Sequence, residues 1–309
     1  MVVTPNRFLH RLLCLLAANV ALSSIAVAQS AAPLRTGHAV PGFYGFETAE
    51  RPESGMTYQN IVYIYTAPTE YDRHGNFTGA SGSVEHLSDH FKAAWTSPWK
   101  IFGGQYVAHG VLSLVNSAPN ARSVTSEISG LDFGDAYLEP LGLYWVGDKG
   151  YLSFGTGYWL DNGNASSDSD DGSGKGFTTF QLSLALTYYP YVERDWHSSF
   201  MVRWEQHSKV SGVDLRPGDD VVLDWSIGKH VNEHWNLGVV GYGVWQTSRD
   251  RGADANLDIG FYGVAGLGLG ARYDLPGWGG HADLRFYQEL QAYNHTEGQA
   301  VVFSLDFKL

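Results

Sequence analysis

The chain predicts an all-β fold: an antiparallel transmembrane β-barrel of about 12 strands, of the outer-membrane type. Three observations predict it. Segments of roughly ten residues alternate apolar and polar side chains along the chain. Long polar connections such as "LDNGNASSDSDDGSGKG" take turns with short ones such as "VGDKG" and "HVNEH", as they do where loops lie on one rim of a membrane barrel and turns on the other. Charged residues inside the segments keep the parity opposite the oily face, as lipid demands when an exposed Lys or Arg costs about 2 to 4 kcal/mol near the bilayer midplane. Composition agrees, since 37 Gly, 18 Tyr, 15 Phe and 10 Trp accompany only 17% charged residues. A soluble sandwich could share that profile, so patterning decides.

The first 28 residues read as an export signal. Arg7 and Arg11 precede an apolar run over 12–21, and Ala26-Val27-Ala28 is a small-x-small cleavage site before Gln29. The run is too short for a membrane helix, and no later stretch supplies about 20 consecutive apolar residues. Cys14 is the only cysteine and lies inside the signal, so the mature chain has no thiol chemistry. Without Arg7 and Arg11 the chain keeps 18 basic against 32 acidic residues, a formal charge of −14, which argues against a nucleic-acid partner. The expected organisation is a signal peptide over 1–28, a periplasmic or lumenal N-terminal segment over 29–58, and a barrel over 59–309. The expected location is the cell outer membrane, reached by export through the periplasm.

The strands follow in order. Segments 59–66, 85–96 and 105–114 open the series. In 132–144, Asp135, Tyr137 and Glu139 share one face, opposite Ala136, Leu138 and Pro140. After 151–159, segment 177–189 sets Phe180, Leu182, Leu184 and Leu186 against Gln181, Ser183, Ala185 and Thr187. Segment 196–207 sets Phe200, Val202 and Trp204 against Met201, Arg203, Glu205 and His207, and 221–229 sets Val221, Leu223 and Trp225 against Val222, Asp224 and Ser226. Segment 235–245 precedes 261–273, where Gly266, Gly268 and Gly270 bare one face and leave room in the lumen. In 282–291, Leu284 and Phe286 oppose Asp283, Arg285, Tyr287 and Glu289; 299–309 closes the series with Val301, Phe303, Leu305, Phe307 and Leu309 opposite Asp306 and Lys308.

Parity therefore sends Asp135, Tyr137, Glu139, Arg203, Glu205, Asp224, Arg272, Asp283, Arg285, Glu289 and Asp306 inward, as candidates to line a solute pathway. The carboxylates are expected beside Arg or Lys of other strands, as intramembrane charges are. Asp135 and Glu139 could be read as a glycosidase pair, but a lumenal charge network is the stronger reading. The three glycines lack the G-x-G-x-x-G spacing and the strand-turn-helix context of a nucleotide site. "DSDDGSG" lacks the frame of a calcium loop, and the scattered histidines contain no H-E-x-x-H, so neither a metal nor a cofactor is expected. Trp95, Trp99, Trp145, Trp159, Trp196, Trp235 and Trp245 lie near strand ends and suit interfacial girdles.

Several motifs carry a resemblance: "PGFYGF" from Pro41, "TSPWKIFGGQY" from Thr96, "FGDAYLEPLGLYW" from Phe133, "FGTGYWL" from Phe154 and "LTYYP" from Leu186. They continue with "LRPGDDVVLDWSIGKHV" from Leu215, "LGVVGYGVWQ" from Leu237 and "LRFYQELQAYNHTEGQAVVFSLDFKL" at the end. The chain resembles the outer-membrane proteins of the meta-pathway phenol-degradation type, related in architecture to long-chain fatty-acid channels. It departs from that pattern at Leu160-Asp161-Asn162-Gly163, where the family has Pro-Thr-Gly, and in ending on Leu309 instead of an aromatic. The resemblance implies a channel, not an enzyme, for passive uptake of small hydrophobic or aromatic compounds. Its partners would be outer-membrane lipid, those solutes and the outer-membrane assembly machinery. Two alternatives remain open: an outer-membrane lipid hydrolase using Ser198, Ser199, His197 or His207, and a structural barrel with a filled lumen.

Overall fold

A computed structural model describes residues 36–78, 84–116, 131–164, 173–255 and 260–309. The expected export signal and much of the acidic "DSDDGSG" stretch lie outside them. The described strands are β1 (Gly55–Tyr71), β2 (Val84–Ile101), β3 (Gly104–Asn116), β4 (Asp132–Phe133), β5 (Tyr137–Gly147), β6 (Gly150–Trp159) and β7 (Thr179–Tyr188). They continue as β8 (Trp196–His207), β9 (Asp220–His230), β10 (Trp235–Gln246), β11 (Gly263–Leu275), β12 (Gly280–Tyr293) and β13 (His295–Lys308). Every pairing is antiparallel, and β1 pairs with both β2 and β13, so the sheet closes. β4 has only two residues and continues the line of β5 along β3. The wall is therefore a closed barrel of twelve strands, with no free edge left unpaired.

Period two sorts the wall. Leu184, Leu186, Phe200, Val202, Ile227, Leu237, Leu269, Leu284 and Phe286 are exposed outward, an apolar surface that suits lipid. Met201, Arg203, Glu205 and His207, on the other parity of β8, are buried in the lumen. The short connections 102–103, 148–149, 231–234 and 276–279 lie on one rim, which by the outer-membrane rule faces the periplasm. Trp95 and Trp99 meet edge to face on that rim at 5.4 Å, and Trp235 packs on Tyr273 at 4.8 Å, forming part of an aromatic belt. Trp159 instead faces inward and is only 8% exposed, sharing the parity of Ser153, Gly155 and Gly157.

The segment expected as one strand over 132–144 is interrupted at 134–136. A Cβ on Gly134 would lie 2.7 Å from Val115, so the backbone comes close to β3 there. Asp135 turns in to collect backbone N–H groups from Asn162, Gly163 and Lys175. A second irregularity follows at Glu139-Pro140: β5 carries one extra residue against both β3 and β6. Pro140 has no N–H to give a ladder, and its carbonyl accepts from the Tyr106 hydroxyl at 2.7 Å.

Residues 36–54 precede β1; 36–49 run inside the barrel, and Glu50, Arg51, Glu53 and Ser54 are exposed where the segment leaves it. Gly37 meets Asp220 and Tyr262 near the loop rim, while Glu47 meets Tyr189 and His230 near the turn rim. This lumenal strap fits because the wall is bare where it passes. Gly228, Gly238 and Gly270 are register partners across β9, β10 and β11. Cβ atoms on Gly238 and Gly270 would stand 2.9 Å from the Phe46 ring. Of the room expected from the β11 glycines, that at Gly270 is filled by Phe46 of the N-terminal segment, while the Tyr242 ring of β10 stands over Gly266.

Gly270→Leu should dislodge Phe46 and destabilise the barrel by about 1 to 3 kcal/mol, the usual cost of overpacking. Adding Phe46→Ala should recover part of that loss. Urea unfolding in detergent of the two single variants and the double variant measures the coupling.

Candidate functional site

The strap has no neighbouring strand, yet its peptide groups are buried and need partners. Charged wall side chains supply them. Asp220 accepts from the Gly37 N–H at 2.8 Å, Glu205 from Ala39 at 3.1 Å and Asp224 from Gly42 at 2.7 Å. In return, Arg203 donates to the Val40 carbonyl at 2.9 Å, Arg285 to Gly42 and Phe43 at 2.7 and 3.0 Å, and Arg272 to Phe46 at 2.6 Å. Lys175, reaching in from the connection before β7, donates to the Thr36 and Gly37 carbonyls.

These groups are also paired with one another, which keeps their charges balanced in a poorly hydrated interior. Arg203 bonds Asp224 at 2.6 Å, and Arg285 bonds Asp283. Tyr44 stacks under Arg203, 5.2 Å from ring centre to guanidinium, with Lys92 on the same ring at 5.5 Å. At the turn rim Glu47 gathers Arg272 at 3.1 Å, His230 at 3.2 Å and the Tyr189 hydroxyl. Burial opposes ionisation of Glu47, but the His230 hydrogen bond and the Arg272 charge outweigh it and hold the carboxyl well below the usual range.

At the loop rim His38 stacks on Trp159 at 5.4 Å and meets Phe177 edge-on at 5.0 Å. Its ring nitrogens contact Thr179 at 2.8 Å and Asp135 at 3.0 Å. Burial, more than the opposing Asp135 hydrogen bond, pushes the His38 pKa down to about 4. The ring is neutral at pH 7.

A cavity of about 540 Å³ runs beside the strap from residues 274–281 at the turn rim to Glu139 in mid-barrel. Tyr44, Lys92, His109, Tyr144, Phe154 and Met201 line it. Of the eleven candidates from sequence, Glu139, Arg272, Asp283, Arg285 and Asp306 border this cavity. Asp135, Tyr137, Arg203, Glu205, Asp224 and Glu289 are buried outside its lining. Asp135 and Glu139 do not meet Arg or Lys side chains as expected: His38 and backbone N–H groups hold Asp135, while Tyr137 at 2.9 Å and His109 at 3.4 Å hold Glu139. Glu289 is likewise held without a cation, by Tyr65, Tyr242 and the Gly298 N–H. Asp306 pairs with His281 near the turn rim. Asp135 and Glu289 need no cation because each collects several N–H or O–H donors.

Residues 69–305 match the sequence profile of the family described as "MetA-pathway of phenol degradation". The chain belongs to that family. No curated protein matches it. Among solved structures, an outer membrane channel from Pseudomonas putida F1 is similar with a TM-score of 0.71 at 11% identity, over 87% of this chain and 99% of that one. The translocator domain of the autotransporter NalP from Neisseria meningitidis gives 0.50 at 12% identity, over 83% and 90%. The Pseudomonas putida toluene transporter TodX gives 0.42 at 11%, over 93% and 97%. The first two likenesses place the fold among outer-membrane barrels.

Sequence reasoning left the segment over 29–58 as periplasmic or lumenal and singled out none of His38, Tyr44, Phe46 or Glu47 within it, nor Lys175. The available signal was "PGFYGF", where Gly42 and Gly45 alternate with aromatics in a segment of no β period: a Cβ on Gly45 would meet Arg285 at 2.9 Å.

Acid should loosen the strap. His38 binds its proton less readily folded than unfolded, so its contribution to stability rises with pH between about 4 and the ordinary 6.5 and is lost below. Glu47 is depressed, so its contribution is full above the ordinary carboxylate range and fades as pH falls through its folded value. Amide exchange over 37–49, corrected for intrinsic rates, should show protection at pH 7 that declines toward pH 4, and a smaller decline in His38→Asn.

Proposed function

We propose that this protein is an outer-membrane channel for passive uptake of small hydrophobic or aromatic compounds. The cavity beside the strap carries the reading. Its volume, about 540 Å³, falls in the range of small-molecule sites, about 300 to 1,000 Å³. Tyr44, Tyr144, Phe154 and Met201 supply apolar contact along it, among polar and charged groups such as Glu50, Lys92, His109 and Asp274. Arg203, Arg272 and Arg285 each turn part of their donor set to strap carbonyls and carboxylates, which leaves less to attract a polar solute. The family's association with phenol degradation supports the aromatic class.

Passage to the outside requires the outer end of the strap to yield, because His38, Trp159 and Phe177 pack together beyond Glu139. Solutes would pass singly, and large hydrated ones would be excluded. The strap also favours a second reading, a structural barrel with a filled lumen. The hydrolase reading draws less support: Ser199 bonds Thr187 at 3.0 Å, and His197 bonds Asn236 at 3.1 Å, so these groups are engaged elsewhere.

The test is uptake by vesicles carrying the refolded mature barrel and a lipopolysaccharide leaflet, which slows apolar solutes on its own. Phenol-like and alkyl-aromatic compounds should enter faster than into protein-free vesicles, while a sugar should not. Equal rates with and without a confirmed, folded barrel would leave the structural reading in its place.

A further inference from the structure

Beside the outer end of the strap, Glu205, His207 and Asp220 stand together, 0%, 1% and 1% exposed. One ligand atom from each lies within 4.8 Å of the other two. Glu205 Oε1 and Asp220 Oδ1 are buried with no hydrogen-bond partner. Two buried carboxylates with free oxygens need a positive charge. Lys175 and Arg203 stand nearby but give these oxygens no hydrogen bond: Lys175 directs its donors to Thr36 O, Thr36 Oγ1 and Gly37 O, while Arg203 bonds Asp224 and Val40.

A chain of contacts joins this cluster to the strap. It runs from Asp135 Oδ2 to His38 Nε2 at 3.0 Å, from His38 Nδ1 to Thr179 Oγ1 at 2.8 Å, from Thr179 Oγ1 to His207 Nδ1 at 2.8 Å, and from His207 Nε2 to Asp220 Oδ2 at 3.0 Å. Thr179 thus holds the His207 ring through Nδ1, and Nε2 faces Asp220 next to the unpartnered oxygens.

We propose that Glu205, His207 and Asp220 form a binding site for one divalent transition-metal cation such as Zn²⁺. The imidazole and carboxylate donors suit that class of ion, and Thr179 fixes the ring tautomer as the outer partner of a metal-bound histidine does. The other cluster, Glu47, His197 and His230, makes a poorer site because Arg272 already balances Glu47. Since Glu205 and Asp220 also accept from Ala39 and Gly37, the ion would bolt the strap between β8 and β9.

Titration of the refolded, chelator-treated mature protein with Zn²⁺ tests the site, with Co²⁺ as an absorbing replacement. The expected result is one equivalent bound, with X-ray absorption of the wild type showing nitrogen and oxygen ligands that include imidazole. Glu205→Gln and His207→Asn should each weaken binding at least 100-fold, and Thr179→Val about 10-fold, as loss of an outer partner does. A folded wild type that binds no equivalent overturns the proposal. So does binding that survives His207→Asn, or that is lost in His230→Ala instead.

Discussion

The rest of this structure depends on one constraint: a peptide segment inside a membrane barrel must find partners for its backbone without a neighbouring strand. The wall meets it with charged side chains. Carboxylates of Glu205, Asp220 and Asp224 take the strap's N–H groups, and guanidiniums of Arg203, Arg272 and Arg285 take its carbonyls. Both signs are needed because a peptide offers both donors and acceptors. The mixed-charge lumen, which alone would suggest a path for polar solutes, is in large part a bed for the strap.

That arrangement also sets what can move. A strand in the wall is held by two ladders; the strap is held by single side-chain bonds, each worth about 0.5 to 1.5 kcal/mol net, or about 1.5 to 3 where a charge takes part. Segments held this way open at lower free energy than the surrounding sheet. Phe46 in its glycine bed and Glu47 among Arg272, His230 and Tyr189 anchor the turn-rim end. The loop-rim end depends on His38, Lys175 and the acidic pair at Glu205 and Asp220. The cavity lies alongside, so displacement of the strap's outer end is the motion that would join it to the outside.

The wall was largely legible in the sequence, because lipid enforces period two at every strand. Arg203, Glu205, Asp224, Asp283 and Arg285 could be sent inward from parity alone, and all are buried. Strand length was less legible: β1 spans Gly55–Tyr71 where alternation suggested 59–66, since wall that rises past the lipid keeps its ladder but loses its hydrophobic signature. Trp159 was placed in a girdle by its position at a strand end, whereas its parity with Ser153 and Gly155 puts it under His38. The strap was least legible. It has no period, and its partners lie far along the chain, as with Gly42 and Asp224, 182 residues apart. Asp135 and Glu139, read from sequence as members of a lumenal charge network with Arg or Lys, are instead held by His38, Tyr137, His109 and backbone N–H groups at two breaks in the strand.

The most direct test of the lumenal strap is single-channel conductance of the refolded mature barrel against a chain lacking residues 29–52, both shown to be folded by their shift on unheated gels. A strap clamped in the lumen predicts a small conductance for the intact protein and a several-fold larger one after the deletion. Equal conductances from two folded barrels would contradict it and return the charged lumen to service as an open path.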